Sequence, residues 1–142
     1  MKVLLDTCIV IDFLQRREPF AEEALQIFRA AAGDLFSGYI TAKSATDIYY
    51  LTHRCTHSDK EARNKLNSLL SVISMVDTAA VDVFHALSSE TPDFEDAVMI
   101  ETAIRLKADC IVTRNTKDYK KAEITVYAPA EFLSALREET SP

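Results

Sequence analysis

An α/β fold built on a parallel sheet is what this chain predicts, and three observations carry that expectation. Short apolar runs rich in Val, Ile and Leu alternate with helical stretches along the whole length. No linker, internal repeat or low-complexity segment breaks the alternation. Carboxylates recur just past the ends of the apolar runs, and in an alternating fold ligands bind in the crevice outside the carboxyl ends of parallel strands.

The elements follow in order. Val3 to Leu5 suits a buried strand, and Asp6-Thr7 can cap a helix formed by Cys8 to Leu14. Pro19 fits the first turn of the next helix, where Ala21, Leu25, Ile27, Phe28 and Ala32 supply an apolar stripe that stops at Gly33. Leu35 to Ile40 reads as a second strand. Thr41 or Ser44 starts a helix through about His53, and Ser58 or Asp59 caps another with Leu66, Leu69 and Leu70 on its buried side. The β-branched run Val72 to Val76 predicts a third strand. Helices from Ala79 to Ser89 and Phe94 to Lys107 come next. Strands at Cys110 to Thr113 and Ile124 to Tyr127 flank a short helix near Lys117, and Pro129 opens a final helix to about Glu138. Five strands spaced by helices imply a parallel sheet covered on both faces.

Composition narrows the function. At 142 residues and 48% apolar, residues 1–142 are expected to form one domain with its own core. No run approaches the roughly 20 apolar residues of a membrane helix, and the N-terminus enters a strand rather than a signal segment, so a cytoplasmic protein with no membrane role is expected. Cys8, Cys55 and Cys110 form no CxxC pair, and their odd number argues against a disulfide framework. With Gly33 and Gly38 as the only glycines, there is neither a GxGxxG nor a Walker-type loop. A net charge of −6 looks unsuited to nucleic acid, yet Asp6, Asp47, Asp93, Asp96 and Asp118 would account for five of those charges if they cluster. Bound divalent ions would then reverse the local field.

Each acid has a plainer alternative. Asp6 can be a helix N-cap. Asp47 shares a helix face with Ser44, Ile48 and Leu51, so it points either into a cleft or from the edge of the stripe to solvent. Asp93 and Asp96 are neighbours at a helix start, where a cation would relieve their repulsion but the helix dipole alone also favours acids, Glu95 included. Thr113 to Tyr119 mixes hydroxyl, amide, carboxylate and basic groups directly after a buried strand, and can also be an ordinary capped loop. Tyr49 and Tyr50 read as packing residues. His53, His57 and His85 lack HExxH or triad partners, and no GxSxG elbow is present. A pocket of oxygen donors without thiolate or imidazole is the kind that Mg²⁺ or Mn²⁺ selects.

The segments VLLDTCIVIDFL (3–14), REPFAEEA (17–24), GYITAKSATDIYYL (38–51) and DFEDAVMIETAIRLKADCIVTRNTKDY (93–119) resemble the PIN-domain ribonucleases, a family that includes the VapC toxins of toxin-antitoxin systems. The resemblance implies a Rossmann-like PIN fold and an acidic site for Mg²⁺ or Mn²⁺. It carries Asp6 onto the first catalytic acid, Asp47 onto the second, where the family more often has Glu, and Asp96 onto the third. It places Asn115 where many members carry a fourth Asp, with Asp118 three residues on. A homodimer and an antitoxin partner are implied in the same way.

The expected activity is metal-dependent hydrolysis of RNA. Carboxylate-held Mg²⁺ can activate a water and stabilise the charge of a pentavalent phosphorus. Asp6 and Asp96 are the principal candidate ligands, with Asp47, Asp93 and Asp118 holding waters or a second ion. Thr7, Thr113 and Asn115 are the supporting groups, and Lys43, Arg114, Lys117 and Lys120 the candidates for gripping the RNA backbone. Single-stranded or loop RNA is favoured, because a compact cleft reads splayed nucleotides. Two alternatives compete: an inactive PIN module serving as an RNA or protein scaffold, and a Mg²⁺-dependent phosphatase, although Cys8 occupies the place of the second acid in a DxDx[TV] motif.

Overall fold

The computed structural model describes residues 1–142. Strand β1 (Lys2–Leu5) leads into α1 (Thr7–Leu14) and α2 (Ala21–Ala32), and β2 (Ser37–Thr41) into α3 (Ala42–Thr56) and α4 (Asp59–Leu69). Then come β3 (Ser74–Val76), α5 (Ala80–Leu87), α6 (Phe94–Arg105), β4 (Cys110–Val112), a 3₁₀ turn (Thr116–Tyr119), β5 (Thr125–Tyr127) and α7 (Pro129–Thr140). All strands are parallel, in the order β3-β2-β1-β4-β5. The chain therefore builds outward from β1 on one side and later returns to its other side. The switch in direction lies between β1 and β4, and there the loops leaving the two strands part and open a crevice.

The central strand shows why the sheet sits where it does. Val3, Leu4 and Leu5 are at most 2% exposed. Because successive side chains alternate faces, Val3 and Leu5 join one core while Leu4 joins the other. The larger core draws on α1, α2, α3 and α7, with Ile9, Ile27, Ile48 and Phe132 fully buried. The smaller is Leu4 and Ile111 against Met99, Ile100 and Ala103 of α6, closed by Tyr119. Outside it, α5 packs on α6 through a buried group: Asp82 accepts Arg105 Nε at 2.8 Å, the Thr102 hydroxyl at 3.0 Å and the Ala79 N–H at 2.9 Å. Burial pushes the Asp82 carboxyl up, but these bonds, Arg105 first, outweigh it and hold the carboxyl below its ordinary value. No helix is long and apolar enough to cross a membrane.

Several boundaries differ from the expected ones, each for a local reason. The run from Val72 starts as a strand only at Ser74, because the N–H groups of Val72 and Ile73 both bond back to Leu69 O and prolong the end of α4. What remains is a short edge strand with Met75 49% exposed. Leu35 lies outside β2 and is exposed. The left-handed residue that ends α2 is Asp34 (φ 57°) rather than Gly33, and Lys107 (φ 54°) plays the same part after α6. Pro19 precedes α2, which begins at Ala21.

Gly38 earns its place by close approach. A Cβ there would lie 2.9 Å from Ile73 Cγ2 and 3.2 Å from Phe36 Cε2, both in the buried layer beneath β2. Gly38→Ala is expected to destabilise the protein by about 1–3 kcal/mol through overpacking, measured by urea unfolding. Coupling Gly38→Ala to Ile73→Ala, which removes the clashing Cγ2, should cost less than the sum of the two single changes if the clash is the cause.

Candidate active site

Beside the sheet switch, over the ends of β1 and β2, lies a cleft of about 610 Å³ whose walls are α3 and α6. Asp6, Asp47 and Asp96 all line it.

Asp6 is placed by backbone pairing. Its N–H continues the β1–β4 ladder by donating to Val112 O at 3.0 Å. Its carboxylate then accepts the Thr7 N–H at 2.7 Å on Oδ1 and the Thr113 hydroxyl at 2.7 Å on Oδ2. The helix-capping and cleft-lining readings of Asp6 thus hold together. Burial raises the Asp6 carboxyl pKa despite the Thr113, Thr7 and Cys8 bonds, and the charge of Glu95 adds to the rise. Thr113, fully buried at the end of β4, also accepts the Asn115 N–H at 3.0 Å, so one hydroxyl couples Asp6 to the next loop.

Asp96 stands in the first turn of α6, oriented from two sides. Asp93 caps the helix by accepting the Asp96 N–H at 3.0 Å, and the buried Tyr119 hydroxyl donates to Asp96 Oδ1 at 2.9 Å. Burial pushes the Asp96 carboxyl up to about 6; the Tyr119 bond opposes this, and the charges of Asp6, Asp93 and Asp118 reinforce it. Asp47 projects from α3, capped at Thr41 whose hydroxyl accepts the Ser44 N–H at 3.0 Å. Lys43 Nζ bridges the walls, 2.6 Å from Asp47 Oδ2 and 2.9 Å from Glu95 Oε1. Burial alone would lower the Lys43 pKa, and these two bonds raise it instead.

The other expected residues divide. Asp93 is an exposed cap turned to its own helix. Asp118 accepts a bond from the Asn115 amide, and neither residue lines the cleft, although the charge of Asp118 acts on Asp96. The five acids therefore do not converge: no three His, Cys, Asp or Glu side chains form a ready metal cage. Arg114, expected at the RNA, is spent on the fold. Its Nε lies 2.6 Å from Asp12, which is 1% exposed, and its guanidinium stacks 3.8 Å from the Phe20 ring centroid. Lys117 and Lys120 are exposed and make no ion pair. Tyr50, expected to pack, meets the Tyr49 ring edge-on at 5.0 Å and is still 62% exposed at the cleft, which Phe94 also lines.

Sequence reasoning missed Tyr119, Glu95 and Arg54 as parts of this site. The signal for Arg54 was present, since Asp47, Tyr50 and Arg54 follow i, i+3, i+7 on one face of α3, and all three line the cleft. Nothing local marks Tyr119, whose partner is 23 residues away.

A hard cation suits the donor set. Asp6 and Asp96 present carboxylate oxygens at one cleft, each partly desolvated and raised by neighbouring negative charge, which is the conflict that a divalent ion relieves. The ammonium of Lys43 already does this for Asp47 and Glu95.

The sign of the Asp96 shift gives a stability test in EDTA. The carboxyl ionises near 3.8 in the unfolded chain and near 6 in the folded one. Between those values the unfolded chain releases its proton first, so folding loses stability as the pH rises and regains it in acid. Asp96→Asn is expected to raise the melting temperature above about pH 7 and to leave it nearly unchanged at about pH 4; a gain independent of pH in a melting series would contradict the assignment.

Comparison with known proteins agrees with this architecture. No curated protein sequence matches the chain. Among solved structures, VapBC2 from Rickettsia felis, bound to a DNA fragment from its promoter, superimposes with a TM-score of 0.70 at 18% identity, covering 90% of this chain and 98% of the other. A toxin-antitoxin complex from Klebsiella pneumoniae gives 0.66 at 23% identity, covering 89% and 97%. FitAcB from Neisseria gonorrhoeae gives 0.70 at 18%, covering 90% and 98%. The PIN domain profile matches residues 2–117, nearly all of the sheet and both walls of the cleft, and the chain belongs to the PIN domain family.

Proposed function

We propose that this PIN domain is a Mg²⁺- or Mn²⁺-dependent endoribonuclease and the toxin of a toxin-antitoxin pair. The observation that carries the reading is the pairing of Asp6 and Asp96 across the sheet-switch cleft, each carboxylate held by a buried hydroxyl from the β4 side, Thr113 and Tyr119.

Asp6 and Asp96 would hold the ion, which when bound supplies an acidified water and charge stabilisation at a phosphodiester. The chain's own groups do the rest. Thr113 and Tyr119 each occupy one carboxylate oxygen and so fix the orientation of both acids. Tyr50 and Phe94, 62% and 50% exposed at the cleft, offer ring faces on which unpaired bases can stack. Arg54, which lines the cleft, and Lys117 and Lys120, exposed in the segment after β4, would contact backbone phosphates. Single-stranded RNA is the substrate class that such a stacking cleft favours.

The toxin assignment is supported by the toxin-antitoxin complexes among the similar structures. An antitoxin peptide would restrain the enzyme by covering the cleft. Self-association is part of the same reading, and it would bury apolar side chains now exposed on α5, Phe84 at 70% and Leu87 at 67%. Three unpaired cysteines accord with action in the reducing cytoplasm.

The test is cleavage of single-stranded RNA by protein freed of contaminating nuclease. Turnover should require Mg²⁺ or Mn²⁺ and stop in EDTA. Asp6→Asn and Asp96→Asn should each fold and lose about a hundredfold or more in kcat/KM, because each removes a charged ligand. Cleavage that persists in excess EDTA, or near-parental rates in either variant, would overturn the mechanism.

A further inference from the structure

Lys43 is the second residue of α3, where the free N–H groups of the first turn disfavour a cation. Its order with Asp47, base before acid at i, i+4, is also the poorer one for a helix. Two local preferences are broken at one residue, so helix stability does not explain its presence. The tertiary contact does. Its ammonium crosses the cleft to Glu95 of α6 at 2.9 Å while bonding Asp47 of its own helix at 2.6 Å. An ammonium has three donors; two are committed to these carboxylates, and the side chain remains 43% exposed. The third donor is left for a phosphate oxygen.

We propose that Lys43 is the resident second cation of this site: it neutralises Asp47 and Glu95, so that the cleft takes one divalent ion, at Asp6 and Asp96, and it presents an N–H to the RNA phosphate. The inference rests on the divalent-ion reading above. It departs from the expectation that Asp47 holds waters or a second metal, because Asp47 Oδ2 is bonded to the ammonium.

Mn²⁺ titration followed by calorimetry, with bound ion counted by electron paramagnetic resonance, tests it without any measurement of turnover. The parent protein should bind one Mn²⁺. Lys43→Met, which keeps the length of the stem and removes the charge, should bind a second, weaker ion; Lys43→Met combined with Glu95→Gln should return to one. Lys43→Arg should also bind one, showing that charge and not shape is responsible. Two ions in the parent, or one in both the parent and Lys43→Met, would overturn the inference and leave the Asp6–Asp96 site standing. No binding in any variant would overturn the divalent-ion reading itself, and the inference with it.

Discussion

Parallel pairing of β1 with β4 is the constraint on which the rest of this molecule depends. The two strands are distant in the chain, adjacent in the sheet and buried on both faces, so their register admits little adjustment. That register sets Asp6 N–H on Val112 O and delivers the Thr113 hydroxyl to the Asp6 carboxylate. A one-residue slip would exchange Leu4 with Val3 and Leu5 between the two cores and carry Asp6 away from Thr113 at the same time. Stability of the sheet and geometry of the site are therefore the same requirement.

Around that centre the charged groups divide by environment. Asp12 with Arg114 and Asp82 with Arg105 are buried acids satisfied by a guanidinium, where breaking the pair would strand a charge in the core. Asp6 and Asp96 have hydroxyl and backbone donors but no guanidinium, so their charge is oriented without being neutralised. This difference, more than the number of acids, separates the residues that hold the fold from the carboxylates left without a cationic partner. The protein accepts a less stable cleft in exchange for carboxylates that remain available.

The net charge of −6 takes on a different meaning in this setting. Asp6, Asp96 and Asp118 crowd one edge of the sheet, whereas Arg54, Lys117 and Lys120 stand free near it. On the proposed reading, a polyanion would meet local cationic groups and exposed aromatic rings at the site rather than the average of the whole surface.

Periodicity and composition determined the strand–helix alternation, the parallel sheet and the recurrence of acids past its apolar runs, because these depend on which residues must be buried and on chain direction; the resemblance to PIN domains singled out Asp6, Asp47 and Asp96 among those acids. Only the start of the third strand was set too early, for a related reason: β-branched residues mark extended propensity, but the backbone bonds that close α4 claimed Val72 and Ile73. What only the tertiary structure decided is which polar groups meet. Arg114 reads as a phosphate contact until Asp12, 102 residues away, is found buried beside it. Tyr119 reads as a loop residue until its hydroxyl reaches Asp96, and nothing near Lys43 in the chain announces that Glu95 of α6 will meet its ammonium. Hydrophobic burial repeats along a chain and can be read there; a hydrogen bond between distant side chains leaves no local periodicity, and its partner is chosen only when the chain closes.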